Sequence, residues 1–124
     1  MTVWTSRFLL LAAGLVGAAT PAMAGIEIVE IAKVQVVKAV SGVVRDPNGS
    51  PIAGATVAEV STDHKTILRG VTTDKNGKFT LSQEPRRKVY HLMISAYGFN
   101  PLLVHVRTSW WTKKLLDLQL ELAT

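Results

Sequence analysis

Two histidines and a methionine in the second half of the chain have the types and spacing best suited to chemistry. His91 and Met93 lie in a run of alternating apolar and polar residues, and His105 lies in a second such run. If the two runs form a hairpin across the turn at 98–101, Met93 lies opposite His105 and His91 lies diagonally from it, on the outward face. Imidazole and thioether groups are ligands that copper accepts, so this pattern predicts a copper site. The alternative is that all three are ordinary residues of a half-exposed sheet, and the chain then holds no metal and no cofactor.

A second group of candidates combines aromatic rings with positive charge. In the segment 110–114 (WWTKK), successive side chains of an extended strand point to opposite faces, so Trp110 is expected to face inward and Trp111 outward beside Lys113. An exposed indole near cations can stack on a sugar ring or lie at a lipid headgroup layer. The alternative is that Trp111 only covers the margin of a sheet.

Three consecutive cations, Arg86-Arg87-Lys88, lie in a polar loop. Such a run is typical of a solvated loop, and the alternative is that it docks to an acidic partner. The aromatic and cationic candidates together predict a surface that binds carbohydrate or the cell envelope, made of Trp111, Lys113, Arg86, Arg87 and Lys88.

Other features argue against an enzyme and against nucleic-acid binding. The chain has no cysteine, which excludes thiol catalysis, and no serine lies in a G-x-S-x-G motif. The run Asp74-x-Asn76-Gly77 resembles the start of a calcium loop, but the acidic residues needed further on are missing, so it predicts a turn. The net charge is +5, yet the basic residues are scattered and do not interleave with aromatic residues as a nucleic-acid surface requires.

Residues 1–24 have the pattern of an export signal. Arg7 supplies positive charge, residues 8–19 (FLLLAAGLVGAA) are apolar, and Ala22-Met23-Ala24 offers the small residues that signal peptidase reads. Cleavage there predicts a periplasmic or secreted protein, and an uncleaved membrane anchor is the alternative. The remainder then divides into a lead-in strand or extension at 25–38 and one domain at 39–124.

The rest of the chain alternates with a period of two rather than with a helical period. The clearest run places Leu116, Leu118, Leu120 and Leu122 on one face and polar residues between them. Similar short runs are separated by turn residues at intervals of about 8–12 positions. The pattern predicts an all-β fold with about seven antiparallel strands in two packed sheets.

Three ordered motifs lie at 40–57 (VSGVVRDPNGSPIAGATV), 72–81 (TTDKNGKFTL) and 90–99 (YHLMISAYGF). They resemble the motifs of the carboxypeptidase regulatory-like domain family over residues 39–122. The resemblance implies a transthyretin-like (prealbumin-type) Greek-key sandwich. It implies no catalytic residues, because such domains usually serve in folding, spacing or docking. The 5-hydroxyisourate hydrolase of the broader transthyretin-like group ends in Tyr-Arg-Gly-Ser, whereas this chain ends in LELAT, so that activity is not implied.

These observations predict a non-enzymatic, exported β-sandwich that serves in protein interaction or scaffolding in the cell envelope, with a protein partner of unknown identity. Carbohydrate or envelope-surface binding is the first alternative, and periplasmic copper binding is the second. No nucleic-acid partner is expected.

Overall fold

The computed structural model describes the backbone of residues 3–6 and residues 27–123. In these ranges the chain forms strands and turns, without a helix and therefore without a helix that could cross a membrane. The predicted signal peptide lies outside the described residues except for its short segment at 3–6. The described strands are β1 (Val3–Ser6), β2 (Ile28–Val37), β3 (Ser41–Arg45), β4 (Thr56–Val60), β5 (Ile67–Thr72), β6 (Lys78–Thr80), β7 (Val89–Ser95), β8 (Leu102–Thr108) and β9 (Leu116–Gln119).

The strands form two sheets, which confirms the predicted all-β sandwich. One sheet has six strands in the order β1-β2-β8-β7-β4-β5, and the other has three in the order β6-β3-β9. The sheets are mixed rather than wholly antiparallel, because β2 runs parallel to β8 and β3 runs parallel to β9. Period-two alternation fixes the face on which a residue lies but not the direction of the neighbouring strand, so the sequence could not show the parallel pairs.

Alternating side chains of both sheets meet in one core. On β7, Tyr90, Leu92 and Ile94 are fully buried, whereas His91 and Met93 between them lie on the outer face and are half-buried. The core is completed by apolar residues from the other strands and their flanks: Val29, Val37, Val40, Val44, Ala55, Val57, Phe79, Leu81, Leu102, Val104, Val106, Leu116, Leu118 and Leu120. The core thus fixes the outer face of the six-stranded sheet, where the histidines lie.

The turn that resembles a calcium loop is held together by its own backbone. Asp74 Oδ1 accepts hydrogen bonds from the backbone N–H groups of Asn76 and Lys78, at 2.8 and 3.0 Å. These two bonds lower the pKa of the Asp74 carboxyl, and the bond from Lys78 has the larger effect. Gly77 completes the turn with a φ of +73°, a conformation that favours glycine. The turn prediction is therefore confirmed.

Strands β3 and β9 approach each other closely at Gly42. A Cβ atom at this position would lie 2.1 Å from the carbonyl oxygen of Leu116, its partner in the parallel register. Since non-bonded carbon and oxygen atoms are normally more than about 3.2 Å apart, only glycine allows this pairing.

Candidate metal centre

His91 on β7 and His105 on β8 are directly opposite each other. The register predicted from the sequence was wrong by two residues, because it placed Met93 opposite His105, whereas Met93 pairs with Leu103. Ile94 pairs with Leu102, so the turn is centred on position 98, one residue before the centre that the predicted pairing required. The correction brings the two imidazoles closer together than the diagonal arrangement expected from the sequence.

Met93 belongs to an apolar patch instead. It packs against a small cluster of buried side chains on the outer face, formed by Ile28, Val60 and Leu103. The copper ligand set His91, Met93 and His105 is therefore not the group that the structure assembles.

The third member of the group is His64, which sequence reasoning missed. It lies in the turn between β4 and β5, with a φ of 63° and its backbone N–H donating to the carbonyl of Ser61 at 2.8 Å. The turn returns the chain over the sheet, so that the His64 ring centroid lies 5.6 Å from that of His91 and 5.9 Å from that of His105. The pairing of Val60, the last residue of β4, with His91 was the missing information, because it places the following turn beside His91.

The three residues His64, His91 and His105 are here called the histidine cluster. They are half-buried, and one ring nitrogen from each lies within 4.8 Å of the others. The Nδ1 atoms of His91 and His105 are 2.8 Å apart and share a hydrogen bond. Two nitrogens on a tetrahedral zinc ion, with bonds of about 2.0–2.1 Å, lie roughly 3.3 Å apart. A shift of about 0.5 Å between these rings is therefore enough to replace the shared proton with a metal ion.

Glu30 on β2 orients one ring of the cluster. Its Oε2 atom lies 2.6 Å from Nε2 of His105, on the side away from the His91 contact. When His105 is neutral with its proton on Nε2, that N–H donates to this carboxylate, and Nδ1 of His105 accepts from Nδ1–H of His91. A carboxylate behind a ligating imidazole fixes its tautomer and makes it a stronger ligand, as in many zinc sites.

The cluster favours neutral imidazole at His91. Burial lowers the pKa of His91, and repulsion from His105 and His64 when those rings are protonated lowers it further. Only the neutral ring has a lone pair for a metal ion, so the lowered pKa keeps His91 in its ligating form at neutral pH.

The aromatic and cationic candidates lie at another part of the surface. Trp110 and Trp111 are 90% and 71% exposed, so the prediction that Trp110 faces inward was wrong. The two residues form a turn, and the alternation of inward and outward side chains holds only for extended chain. Five of these side chains line one cleft of about 570 Å³, together with Lys38: Arg86, Arg87, Lys88, Trp110 and Trp111. Lys113 does not line this cleft.

Comparison with known proteins identifies the family. The family model of the carboxypeptidase regulatory-like domain matches residues 39–121. The chain belongs to that family. No curated protein matches this carboxypeptidase regulatory-like domain protein.

Solved structures with a similar fold are distant. Catechol 1,2-dioxygenase from Pseudomonas arvilla C-1 has a TM-score of 0.48 and 18% identity, over 95% of this chain and 73% of the dioxygenase. Chlorocatechol 1,2-dioxygenase from Pseudomonas putida has a TM-score of 0.41 and 13% identity, over 75% of this chain and 63% of that protein. At this distance the activities of these two dioxygenases say nothing about the chemistry of the regulatory-like domain.

Proposed function

We propose that this carboxypeptidase regulatory-like domain is a non-enzymatic binding module whose ligand is a transition-metal ion held by the histidine cluster. The observation that carries the proposal is the convergence of all three histidines of the chain, with ring nitrogens within 4.8 Å of one another. They come from three separate elements, the β4–β5 turn, β7 and β8, so local sequence proximity does not account for their meeting.

The ligand chemistry favours Cu(II) and Zn(II). Three imidazoles without a thioether suit these two ions better than Cu(I), for which sulfur ligands are preferred. A given nitrogen site normally binds Cu(II) more tightly than Zn(II). Three imidazoles are one ligand fewer than a tetrahedral zinc ion takes, so water or a ligand from a partner molecule would complete the coordination.

Capture of the ion is proposed rather than catalysis. A hydrolytic zinc site needs a carboxylate or another base beside the metal-bound water. Glu30, the carboxylate bonded to the cluster, is held on the far side of His105 through Nε2. Its role would therefore be to orient His105 as a ligand rather than to act as a base.

The cell envelope is the proposed location, where such a module would bind metal or hold a partner protein. Support comes from the N-terminal pattern of Arg7, the apolar run and Ala22-Met23-Ala24. The mass of the protein recovered from the periplasm tests this, since cleavage after Ala24 leaves a chain that begins at Gly25. A full-length mass in the membrane fraction would instead support the anchor.

Calorimetric titration of the metal-free protein with ZnCl₂ and CuCl₂ at pH 7.5 tests the metal proposal. One ion should bind per chain. Loss of Glu30, as in Glu30→Gln, should weaken binding about 10–100-fold, and loss of a direct ligand should weaken it more. His64→Asn is the sharpest ligand variant, because asparagine tolerates the positive φ that this position requires.

Met93→Leu is the matched control. It preserves the volume of the apolar patch and removes the sulfur of the copper ligand set that the sequence predicted. The metal affinity should therefore stay within about twofold of wild type. Electron paramagnetic resonance of the Cu(II) form should show nitrogen couplings that decrease in His64→Asn. Binding weaker than micromolar, or equal affinity in wild type and His64→Asn, would refute the metal site.

A further inference from the structure

The cleft lined by the aromatic and cationic candidates has the composition of an anion-binding site that also contains aromatic rings. It is formed where three segments meet: the loop between β6 and β7, the turn between β8 and β9, and Lys38 after β2. Cations and two exposed indoles line the same concave space of about 570 Å³. The set Lys38, Arg86, Lys88, Trp110 and Trp111 is here called the cationic cleft.

Most cations around the cationic cleft have no ion-pair partner among residues 27–123. Arg87 is the exception, because its Nη2 atom lies 2.9 Å from the buried carboxylate of Glu59. Among the described residues, Lys38, Arg86 and Lys88 form no ion pair. Glu84, the carboxylate that lines the cleft, lies 3.6 Å from Arg69 and is partly neutralised by it. The remaining excess of cations attracts an anionic ligand.

The loop that carries these cations is held in place by buried contacts. The hydroxyl of Tyr90 accepts a hydrogen bond from the backbone of Glu84 at 3.0 Å and donates to the carbonyl of Arg87 at 2.8 Å. The guanidinium of Arg87 also lies 4.8 Å over the Tyr90 ring. At the end of the loop, the carbonyl of Lys88 accepts from the backbone of Thr108 at 2.8 Å. The loop backbone at Arg86 and Lys88 is therefore held in place while their side chains stay exposed, so a ligand has to order the side chains but not the loop.

The turn that carries the indoles is fixed to the same end of the sandwich. The backbone of Ser109 donates to the carbonyl of Val37, and the backbone of Lys38 donates to that of Lys114, both at 2.8 Å. These two bonds join the Trp turn to the segment that carries Lys38. The backbone that carries the indoles and the backbone that carries Lys38 are thus joined directly at this end of the sandwich.

We propose that the cationic cleft binds an acidic polysaccharide, with the indoles stacked on sugar rings and the cations paired to carboxylates. A uronic-acid chain has both features in each residue: an apolar C–H face that fits an aromatic ring and a carboxylate that fits a cation. The site shares no residue with the histidine cluster, so it does not depend on the metal proposal.

A concave cleft favours this ligand over a membrane. The two indoles are exposed enough to reach a plane of headgroups, but the cations beside them line a concave space instead of sharing that plane. A flat bilayer cannot enter a recess, but a flexible chain of sugar rings can lie in it.

Titration of metal-free protein with a trigalacturonate, followed by NMR, tests the proposal. The indole Nε1–H signals of Trp110 and Trp111 should shift, and the affinity should fall as salt concentration rises. Maltotriose, a neutral glycan of the same length, should bind at least about tenfold more weakly because it lacks the carboxylates. Lys88→Glu should reduce trigalacturonate affinity about tenfold or more.

Lys75→Glu is the matched control, because it makes the same change of charge at an exposed residue outside the cleft. It should change affinity by less than about threefold. Equal weakening by both charge reversals would overturn the proposal in favour of nonspecific attraction. Indole shifts with anionic vesicles of phosphatidylglycerol but not with trigalacturonate would overturn it in favour of a membrane surface. The absence of shifts with either probe would also overturn it.

Discussion

The buried carboxylate of Glu59 should control the stability of the sandwich at the end where the cationic cleft lies. Glu59 is only 1% exposed on β4. It accepts from Arg69 Nε at 2.8 Å and from Arg87 Nη2 at 2.9 Å. In the described part of the chain, Arg69 Nη2 and Arg87 Nε are buried without a hydrogen-bond partner. Glu59 is therefore the main counter-charge of both guanidinium groups, since the second contact of Arg69, with Glu84, is longer at 3.6 Å.

Glu59→Gln retains the side-chain volume and removes the charge. The amide oxygen can accept from one guanidinium, but the amide nitrogen then faces the other and cannot accept. Breaking one side of a buried ion pair costs about 3–5 kcal/mol. For a domain of roughly 100 residues, 1 kcal/mol corresponds to about 4–8 °C, so Tm should fall by roughly 12–40 °C.

Glu84→Gln is the matched control, because it makes the same chemical change beside the same Arg69. Its side chain is 50% exposed and lies 3.6 Å from Arg69, and such surface pairs contribute about 0–1 kcal/mol. Urea unfolding followed by circular dichroism measures both variants, since the exposed indoles of Trp110 and Trp111 respond little to unfolding. A cost below about 1 kcal/mol for Glu59→Gln, or equal costs for both variants, would refute the assigned role of the buried carboxylate.

Three further predictions use the same unfolding assays. Gly42→Ala should lower the free energy of unfolding by more than about 3 kcal/mol, because its Cβ would lie 2.1 Å from the Leu116 carbonyl oxygen. Gly70→Ala is the control and should lower it by less than about 1 kcal/mol, because a Cβ there would lie 3.4 Å from its nearest neighbour, the Val57 carbonyl oxygen. Metal-free protein should lose stability as the pH falls below 6.5, the ordinary pKa of histidine. Burial lowers the pKa of His91 in the folded state, so the unfolded chain binds more protons in this range. His91→Gln should reduce the dependence of the unfolding free energy on pH between about pH 5 and 7. Zinc at 100 times its Kd should raise Tm by roughly 10–20 °C, and this shift should disappear in His64→Asn if the histidine cluster holds the ion.

The sequence predicts the fold well because the face of each residue follows from alternation. Leu116 and Leu118 on β9, and Tyr90, Leu92 and Ile94 on β7, are buried as their spacing indicates. Strand direction and strand order depend on long-range pairing, which alternation does not encode. This is why the two parallel pairs were not predicted.

The histidine candidates were also predicted correctly in the face of each residue but not in the neighbours that strand pairing supplies. His91 and His105 were placed correctly on the outer face, but the turn is centred one residue earlier than expected, so His91 rather than Met93 lies opposite His105. His64 could be found only from the pairing of Val60 with His91, which lies far from it in sequence. Local rules predict which face a residue occupies, whereas a site is made by neighbours on other strands.

The position of β1 has a consequence for assembly. Val3–Ser6 pairs antiparallel with residues 28–31 of β2, at the margin of the six-stranded sheet. If the leader is cleaved after Ala24, this strand leaves with it, and the backbone N–H and C=O groups of β2 that it had satisfied become an open template for an extended segment of another polypeptide. Processing would then both release the domain and expose its first strand for β-augmentation by a partner.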